Sequence, residues 1–556
     1  MSFKNILLKT KILFKKERSL IILILLIGLS FRLVNLWIEP YWGDELLSLD
    51  IVRYYEDDLG GMVNYLREVE VHPPLYYIFL KYWADIFGNT QGAVRSLSVI
   101  FGLGVIYVSY ILFKKVFNNK NAGLLAAFFI AVLPIQIEYS QEARPYIIFT
   151  FFGLLSAYFL WCYLNTLVQN KRILLAGFYI VTSLVGFYLH YSFLFILIAL
   201  SSFWFCYAIF WQKNNKFREF RIWLITHFII FIGFFWQLQA MLYKAVLSEH
   251  NILGLPRTVG SMQRPLVFFD ELIDKMIWLT RSSSVFPIEI LAVLLFKFIF
   301  IFSIFYLFIY STKFVDNIKN NKKGIIYVIW ISVVPALFFL ISPQSISYVP
   351  VFQSHVLIIS IFLISIIAYI FTCFNSRKKF VLVILFLASI TSFTLTIIQD
   401  KSNTESGFRI RHVAEFINES YEDGDLVLVD YAFVRTDVSH YLRDDIKVKS
   451  LFPTFLLEET QDELASRNTL GFIENESHSR MEGAIGPTWL RQARVDMKMD
   501  YLEKTYNPKK IWLVFFRAEN YVDSWFSRNN WVKELGIVHP IYMPVQMYAK
   551  QLTINN

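Results

Sequence analysis

Two adjacent carboxylates, Asp44 and Glu45, follow the first long apolar run in the stretch Glu39-Pro40-Tyr41-Trp42-Gly43-Asp44-Glu45. At the mouth of a membrane such a pair can take a proton from a hydroxyl or amine, stabilise a cationic sugar-like transition state, or hold a divalent cation by its oxygens. The flanking Tyr41, Trp42 and Gly43 point to a packed turn rather than a solvated run of charge. Further on comes His72-Pro73-Pro74-Leu75-Tyr76-Tyr77. Proline is pre-organised for the first turn of a helix, so a helix starting near Pro74 aims its free amides and positive dipole end toward His72, an environment suited to phosphate. A third cluster, Glu138-Tyr139-Ser140-Gln141-Glu142-Ala143-Arg144-Pro145-Tyr146, fills a short loop between two apolar runs. Charges there are costly unless paired. Either they neutralise each other structurally, or Arg144 meets a phosphate while Glu142 and Glu138 serve an acceptor or second acidic site. Arg95 and the His190-Tyr191 pair fall at corresponding ends of neighbouring apolar runs.

The elements that must position these groups are membrane helices. The chain has 556 residues, 56% of them hydrophobic and only 17% charged, with a mean hydropathy of +0.47, which places it among polytopic membrane proteins. Spanning-length apolar runs recur at 19–38, 93–113, 122–138, 146–168, 173–189, 192–211, 222–242, 287–311, 324–342, 352–373 and 380–398, about eleven in all. With the N-terminus inside, every loop due on the cytoplasmic side is basic, as in Lys114/Lys115/Lys120, Lys171/Arg172, Lys213/Lys216/Arg218/Arg221 and Arg377/Lys378/Lys379. An odd number of spans then puts Asp44 and the last 156 residues on the outer face of the cytoplasmic membrane.

The net charge of +9 is unevenly divided: residues 401–556 hold 19 Lys/Arg against 23 Asp/Glu. The basic excess therefore belongs to the membrane part as a topology signal, and a nucleic-acid partner, which needs a basic patch on a soluble face, is excluded. Three cysteines, all in apolar runs, define neither a disulfide framework nor a thiolate metal site.

Two domains follow: a membrane domain over 1–399 with a large first outer loop at 39–92, and an extracytoplasmic α/β domain over 400–556. In the first loop, residues 59–70 read as an amphipathic interfacial helix and 74–88 as a second interfacial or re-entrant one. The long outer segment 243–286 reads as a lid. Beyond 400, short β-rich runs at Leu426–Asp430, Ile446–Leu451, Ile511–Phe516 and Val545–Leu552 alternate with helical patterns around 407–420, 488–504 and 520–529. No glycine-rich phosphate loop follows the first strand.

Taken in order, Trp-x-Asp-Glu, His-Pro-Pro-Leu-Tyr-Tyr, Ala-x-Arg-x-x-Ser, Tyr-Ser-x-Glu-Ala-Arg-x-Tyr and His-Tyr resemble the GT-C class of polyprenyl-phosphate-dependent glycosyltransferases. The likeness is to bacterial relatives of the dolichyl-phosphate-mannose protein mannosyltransferases and the lipid A aminoarabinose transferases. It implies an enzyme that moves a sugar from a polyprenyl-phosphate carrier to an envelope glycan, lipid or protein, inverting at the anomeric carbon. By the resemblance Asp44 is the catalytic base with Glu45 beside it, and His72, Arg95, Arg144 and His355 bind the donor phosphate. Glu138, Glu142, His190 and Tyr191 form the acceptor or second acidic site. His355 stands in Pro350-Val351-Phe352-Gln353-Ser354-His355-Val356, where relatives carry an arginine in a Pro-x-Phe-x-x-Arg-Tyr-like segment. No cofactor is required, and a divalent cation stays open. The alternative is a lipid-linked glycan flippase or transporter, which favours inverted repeats and mid-membrane polar residues, whereas here the acids gather at one face.

The alternation of basic loops is testable by cysteine labelling. A cysteine introduced beside Lys322 should resist an impermeant thiol reagent in intact cells, and one at Ser466 should react. Protection at Ser466 would make the span count even and place the last domain inside.

Overall fold

The computed structural model describes residues 3–242 apart from 38–40, 42, 69, 71 and 213–214. It then describes 321–341, 353–373, 405–431, 441–452 apart from 444, 499–514 apart from 501, 525–538 apart from 530, and 544–550. The expected spans 287–311 and 380–398 and the expected lid 243–286 lie outside the described residues.

Two compact units emerge, one of residues 1–38, 57–247 and 251–402, the other of 39–56, 248–250 and 403–556. In the first unit the chain runs through α1 (Phe3–Leu33), α3 (Leu59–Glu68), α4 (Leu75–Phe87), α5 (Gln91–Val116), α6 (Lys120–Val132) and α7 (Pro134–Glu138). It continues through α8 (Tyr146–Leu164), α9 (Gln169–Leu189), α10 (Phe193–Cys206) and α11 (Lys216–Leu242), then α12 (Lys322–Ile341) and α13 (Gln353–Thr372). Helix α2 (Gly43–Tyr54) belongs to the second unit. Among the described residues, five helices are long and apolar enough to cross a membrane: α5, α8, α9, α10 with its continuation to Trp211, and α11. Two shorter apolar helices, Lys120–Val132 and Leu357–Thr372, accompany them.

Local chemistry sets the helix ends. Thr90 caps α5, its hydroxyl accepting from the Ala93 amide at 3.4 Å, and Asn119 caps α6 by accepting from Asn121 and Ala122 at 3.0 and 3.2 Å. The run expected at 122–138 is broken at Leu133, because Pro134 lacks an amide to continue α6 and instead opens α7 at its first position. At one end of the bundle the charges close in sets. Arg172 pairs with buried Glu219 at 2.7 Å, Tyr163 donates to the same carboxylate at 3.1 Å, and Glu17 accepts from both Tyr110 and Lys114.

At the opposite end, Arg32 is fully sealed from solvent. It donates to the Ser140 hydroxyl and to the carbonyls of Gly28 and Ala131 at 3.0 Å each, and to the Gln136 carbonyl at 3.4 Å. Gln141 donates back to the carbonyls of Arg32 and Val34 at 3.1 and 2.7 Å. The loop after α7 is thereby fastened to the end of α1.

In the second unit, a five-stranded sheet has the order β2-β1-β3-β5-β4, with β1 (Leu426–Tyr431), β2 (Val448–Phe452), β3 (Lys510–Val514), β4 (Trp531–Val538) and β5 (Pro544–Lys550). The first three are parallel, while β5 runs antiparallel to both β3 and β4. Alternate residues of β1 and β3 feed two cores. Leu426, Leu428, Ile511 and Leu513 pack with Trp525 and Phe526, and Val427, Val429, Trp512 and Val514 pack with Ala414 and Ile417 of α14 (Glu405–Ser420). The edge strand β4 is absent from the sequence expectation because Lys533 and Glu534 interrupt its apolar alternation, at a point where the register also shifts.

Gly102 of α5 lies against the fastened loop: a Cβ there would stand 2.2 Å from the Ser140 hydroxyl and 3.0 Å from the Arg32 guanidinium. Gly102→Ala should therefore cost about 1–3 kcal/mol by overpacking, read as a lowered unfolding temperature of the purified protein. An unchanged midpoint would mean that the loop yields freely.

Candidate functional site

His72 is the centre of the first unit's charged cluster. Pro74 takes the N-cap position of α4 and its carbonyl accepts from Ile78 at 3.1 Å, so the helix begins where the proline pair predicts and its first-turn amides are left toward the His72 side. Just upstream, Glu70 is buried to 1% exposure, and its carboxylate lies 3.1 Å from His72 Nδ1. From the loop fastened by Arg32 comes Arg144, also buried, with Nη2 3.4 Å from the same Nδ1. One imidazole nitrogen thus faces a group that only accepts and a group that only donates. With a proton on Nδ1, His72 donates to Glu70; without one, it accepts from Arg144. The guanidinium keeps its charge in either case, so the protonation of the ring decides only which of the two neighbours Nδ1 bonds.

Aromatic rings wall this cluster. The His72 ring lies 5.1 Å from that of His190 and 6.2 Å from that of Tyr146, and the Arg144 guanidinium sits 5.8 Å from the Tyr146 centroid. His190 ends α9 and stacks on Phe149 at 4.9 Å. Its Nδ1 accepts from the Ser192 amide at 3.1 Å, which leaves the proton of the neutral ring on Nε2. Tyr191 accepts from the Gln237 side chain at 2.6 Å, and burial pushes its hydroxyl up to about 12, so it stays neutral.

Of the residues expected from sequence, His72, Arg144 and His190 are brought together, and Tyr191 adjoins them. Arg95, buried on α5, donates to the Leu36 carbonyl at 3.4 Å. Buried Glu138 closes α7, and the Glu142 backbone carbonyl accepts from Ser98 at 2.6 Å. His355 lies in the first turn of α13, with its side chain outside the described part of the chain. Asp44 and Glu45 occupy the first turn of α2, where negative charge suits the helix dipole; Glu45 is fully buried and Asp44 partly. The backbone of Tyr41 just ahead of them donates to the Tyr441 hydroxyl at 2.9 Å. Among the described residues, no group of three or more His, Cys, Asp or Glu side chains converges as a cation site would require.

Sequence reasoning missed Glu70, although an acid two residues before a histidine was available as a signal. It also missed Arg67, which stacks on Trp236 at 4.7 Å and donates to the Trp236 carbonyl at 3.4 Å and the Gln239 side chain at 3.2 Å, clamping the end of α3 to α11.

Comparison with known proteins gives this geometry a context. The model of the dolichyl-phosphate-mannose-protein mannosyltransferase family matches residues 71–238, which takes in His72, Arg95, Arg144 and His190 and leaves out Asp44. The fold matches the crystal structure of ArnT from Cupriavidus metallidurans with a TM-score of 0.59 at 10% identity, over 95% of this chain and 98% of that one. At this identity the likeness is one of fold. ArnT bound to undecaprenyl phosphate is matched at a TM-score of 0.58 and 11% identity, over 95% and 97% of the two chains. The archaeal oligosaccharyltransferase AglB from Archaeoglobus fulgidus, in complex with an inhibitory peptide and a dolichol-phosphate, is matched at 0.52 and 12%, over 97% of this chain and 75% of that one. In sequence, the chain is 26% identical to the putative mannosyltransferase YkcB of Bacillus subtilis over 177 residues, 30% of its own length and 24% of the relative's. It is also 27% identical to dolichyl-phosphooligosaccharide-protein glycotransferase 2 of A. fulgidus over 143 residues, 22% of its own length and 23% of the relative's. The chain thus spans about a quarter of the length of these curated relatives.

If Glu70 is the acceptor that holds His72, Glu70→Ala should cost about 1–3 kcal/mol by stranding a buried donor, and Glu70→Gln should recover part of it. Thermal unfolding of the two variants beside the parent protein measures this. Equal stability of all three would assign the imidazole to Arg144 alone.

Proposed function

We infer that this chain is an integral-membrane glycosyltransferase that takes a sugar from a polyprenyl-phosphate carrier and delivers it to an envelope glycan, lipid or protein at the outer face of the cytoplasmic membrane. The observation that carries this is the buried set of Glu70, His72 and Arg144 at the start of α4. A buried imidazole and a buried guanidinium side by side present charge-assisted donors in a water-poor place, which suits the phosphate of a lipid carrier. The match of 71–238 to a lipid-phosphate-dependent mannosyltransferase family supports the same reading.

The chemistry then runs as follows. The acceptor hydroxyl or amine gives its proton to the Asp44 carboxylate as its lone pair attacks the anomeric carbon. The bond from that carbon to the phosphate oxygen breaks, the electron pair leaves with the lipid phosphate, and the configuration inverts. His72 and Arg144 stabilise the departing phosphate by charge-assisted hydrogen bonds, with Arg95 and His355 as further cationic contacts. Glu45 supports Asp44 from a buried position on the same helical turn. Glu138, Glu142, His190 and Tyr191 serve the acceptor or second acidic side of the site.

Asp44→Asn keeps side-chain size and removes basicity. Transfer from a polyprenyl-phosphate sugar to envelope acceptors should fall by roughly two to four orders of magnitude, while expression and carrier binding hold. Glu45→Gln should cost less. A well-folded Asp44→Asn protein transferring at close to the parent rate would move the base elsewhere, with Glu142 the next candidate.

A further inference from the structure

We propose that Gln237 and Tyr191 form a neutral subsite that hydrogen-bonds a hydroxyl of the sugar carried on the lipid phosphate. The proposal rests on the glycosyltransferase reading and moves Tyr191 from the acceptor side of that site to the part that meets the donor's sugar ring. Gln237 lies within the apolar run of α11 and is 0% exposed. Its amide nitrogen donates to the Tyr191 hydroxyl at 2.6 Å, and its amide oxygen has no hydrogen-bond partner among the described residues. Turning the amide end for end exchanges which atom is left over, and one atom remains unmet either way. A sealed amide atom without a partner destabilises the protein unless a ligand completes it.

The position of this pair says which ligand. Tyr191 adjoins His190, whose ring lies 5.1 Å from that of His72, and the charges of Arg67 and Glu70 are both felt at the Tyr191 hydroxyl. On α11, Trp236 and Gln239 flank Gln237 and receive the Arg67 clamp at 3.4 and 3.2 Å, so this turn is held against the end of α3 that leads to Glu70. A neutral amide and a neutral phenol therefore stand beside a cationic cluster. A phosphate is drawn to His72 and Arg144. The neutral pair is suited to a group that both donates and accepts without charge, which is a hydroxyl. Two adjoining environments, one for an anion and one for hydroxyls, match a sugar phosphate ester. Such a subsite would set which sugar is preferred, because a wrongly placed hydroxyl leaves the amide unmet.

The test uses the full-length protein in lipid nanodiscs and measures affinity for undecaprenyl phosphate alone and for undecaprenyl phosphate carrying glucose, mannose, galactose or arabinose. The parent should hold at least one sugar-loaded carrier more tightly than the bare one. Gln237→Met should bind the bare carrier as the parent does and lose about five- to tenfold in affinity for the preferred loaded carrier, the worth of a hydrogen bond. Tyr191→Phe, which removes a single oxygen, should lose in the same sense and carries the test should the methionine variant not fold. Equal weakening toward bare and loaded carriers, or no weakening, overturns the subsite. A parent that favours no sugar over the bare carrier overturns the subsite while the phosphate reading stands. A parent that binds no carrier at all overturns both.

Discussion

A guanidinium with no water around it needs acceptors, and Arg32 finds three backbone carbonyls, of α1, α6 and α7, and the Ser140 hydroxyl of the loop that follows them. Gln141 answers with bonds to the end of α1, and Gln136 reaches across to the Leu357 carbonyl and Ser360 of α13 at 3.0 and 3.3 Å. Three parts of the chain far apart in sequence are thus locked to one short loop, and that loop presents Arg144. Without the lock, the distance between Arg144 and His72 would be set by a flexible turn between two apolar helices. With it, two basic groups are held together in a place neither would occupy alone.

The same logic recurs through the membrane part. Charges are sealed in sets: Arg172 with Glu219 and Tyr163 at one end, and Glu70 with His72 and Arg144 at the other. The first set is one carboxylate shared by a guanidinium and a phenol. The second offers more cationic capacity around one imidazole, and its walls are aromatic rings rather than packed aliphatic chains. That contrast in composition and in the walls separates a structural charge set from a candidate binding one.

Much of this was legible in the sequence where the signal is local. A proline pair announces a helix start, so α4 and the placement of His72 at its head could be read directly. Charged residues in a two-helix loop stand out, so Arg144 did too, and the spanning runs of α5, α8, α9 and α11 follow from length and composition. Signals that live in tertiary partners were not legible. Arg32 reads as an ordinary basic residue near a helix end, because three of its four acceptors lie about a hundred positions away. Gln237 reads as a polar interruption of an apolar run, and only its burial against Tyr191 gives it meaning. Strand β4 was hidden because an edge strand tolerates charge where a central strand does not. Asp44 and Glu45 were visible as a pair, whereas the bond that associates their segment with the last domain joins residues 400 positions apart.

That association bears on how the chain comes into being. Residues 39–56 leave the ribosome well before residues 403–556, with which they share one compact unit. Closing so long a loop is slow, because its entropy must be overcome before any contact rewards it. During synthesis the helix bearing both acids therefore precedes its partners in that unit by about 350 residues. A chain halted before residue 403 therefore holds an acidic pair without the residues that share its compact unit.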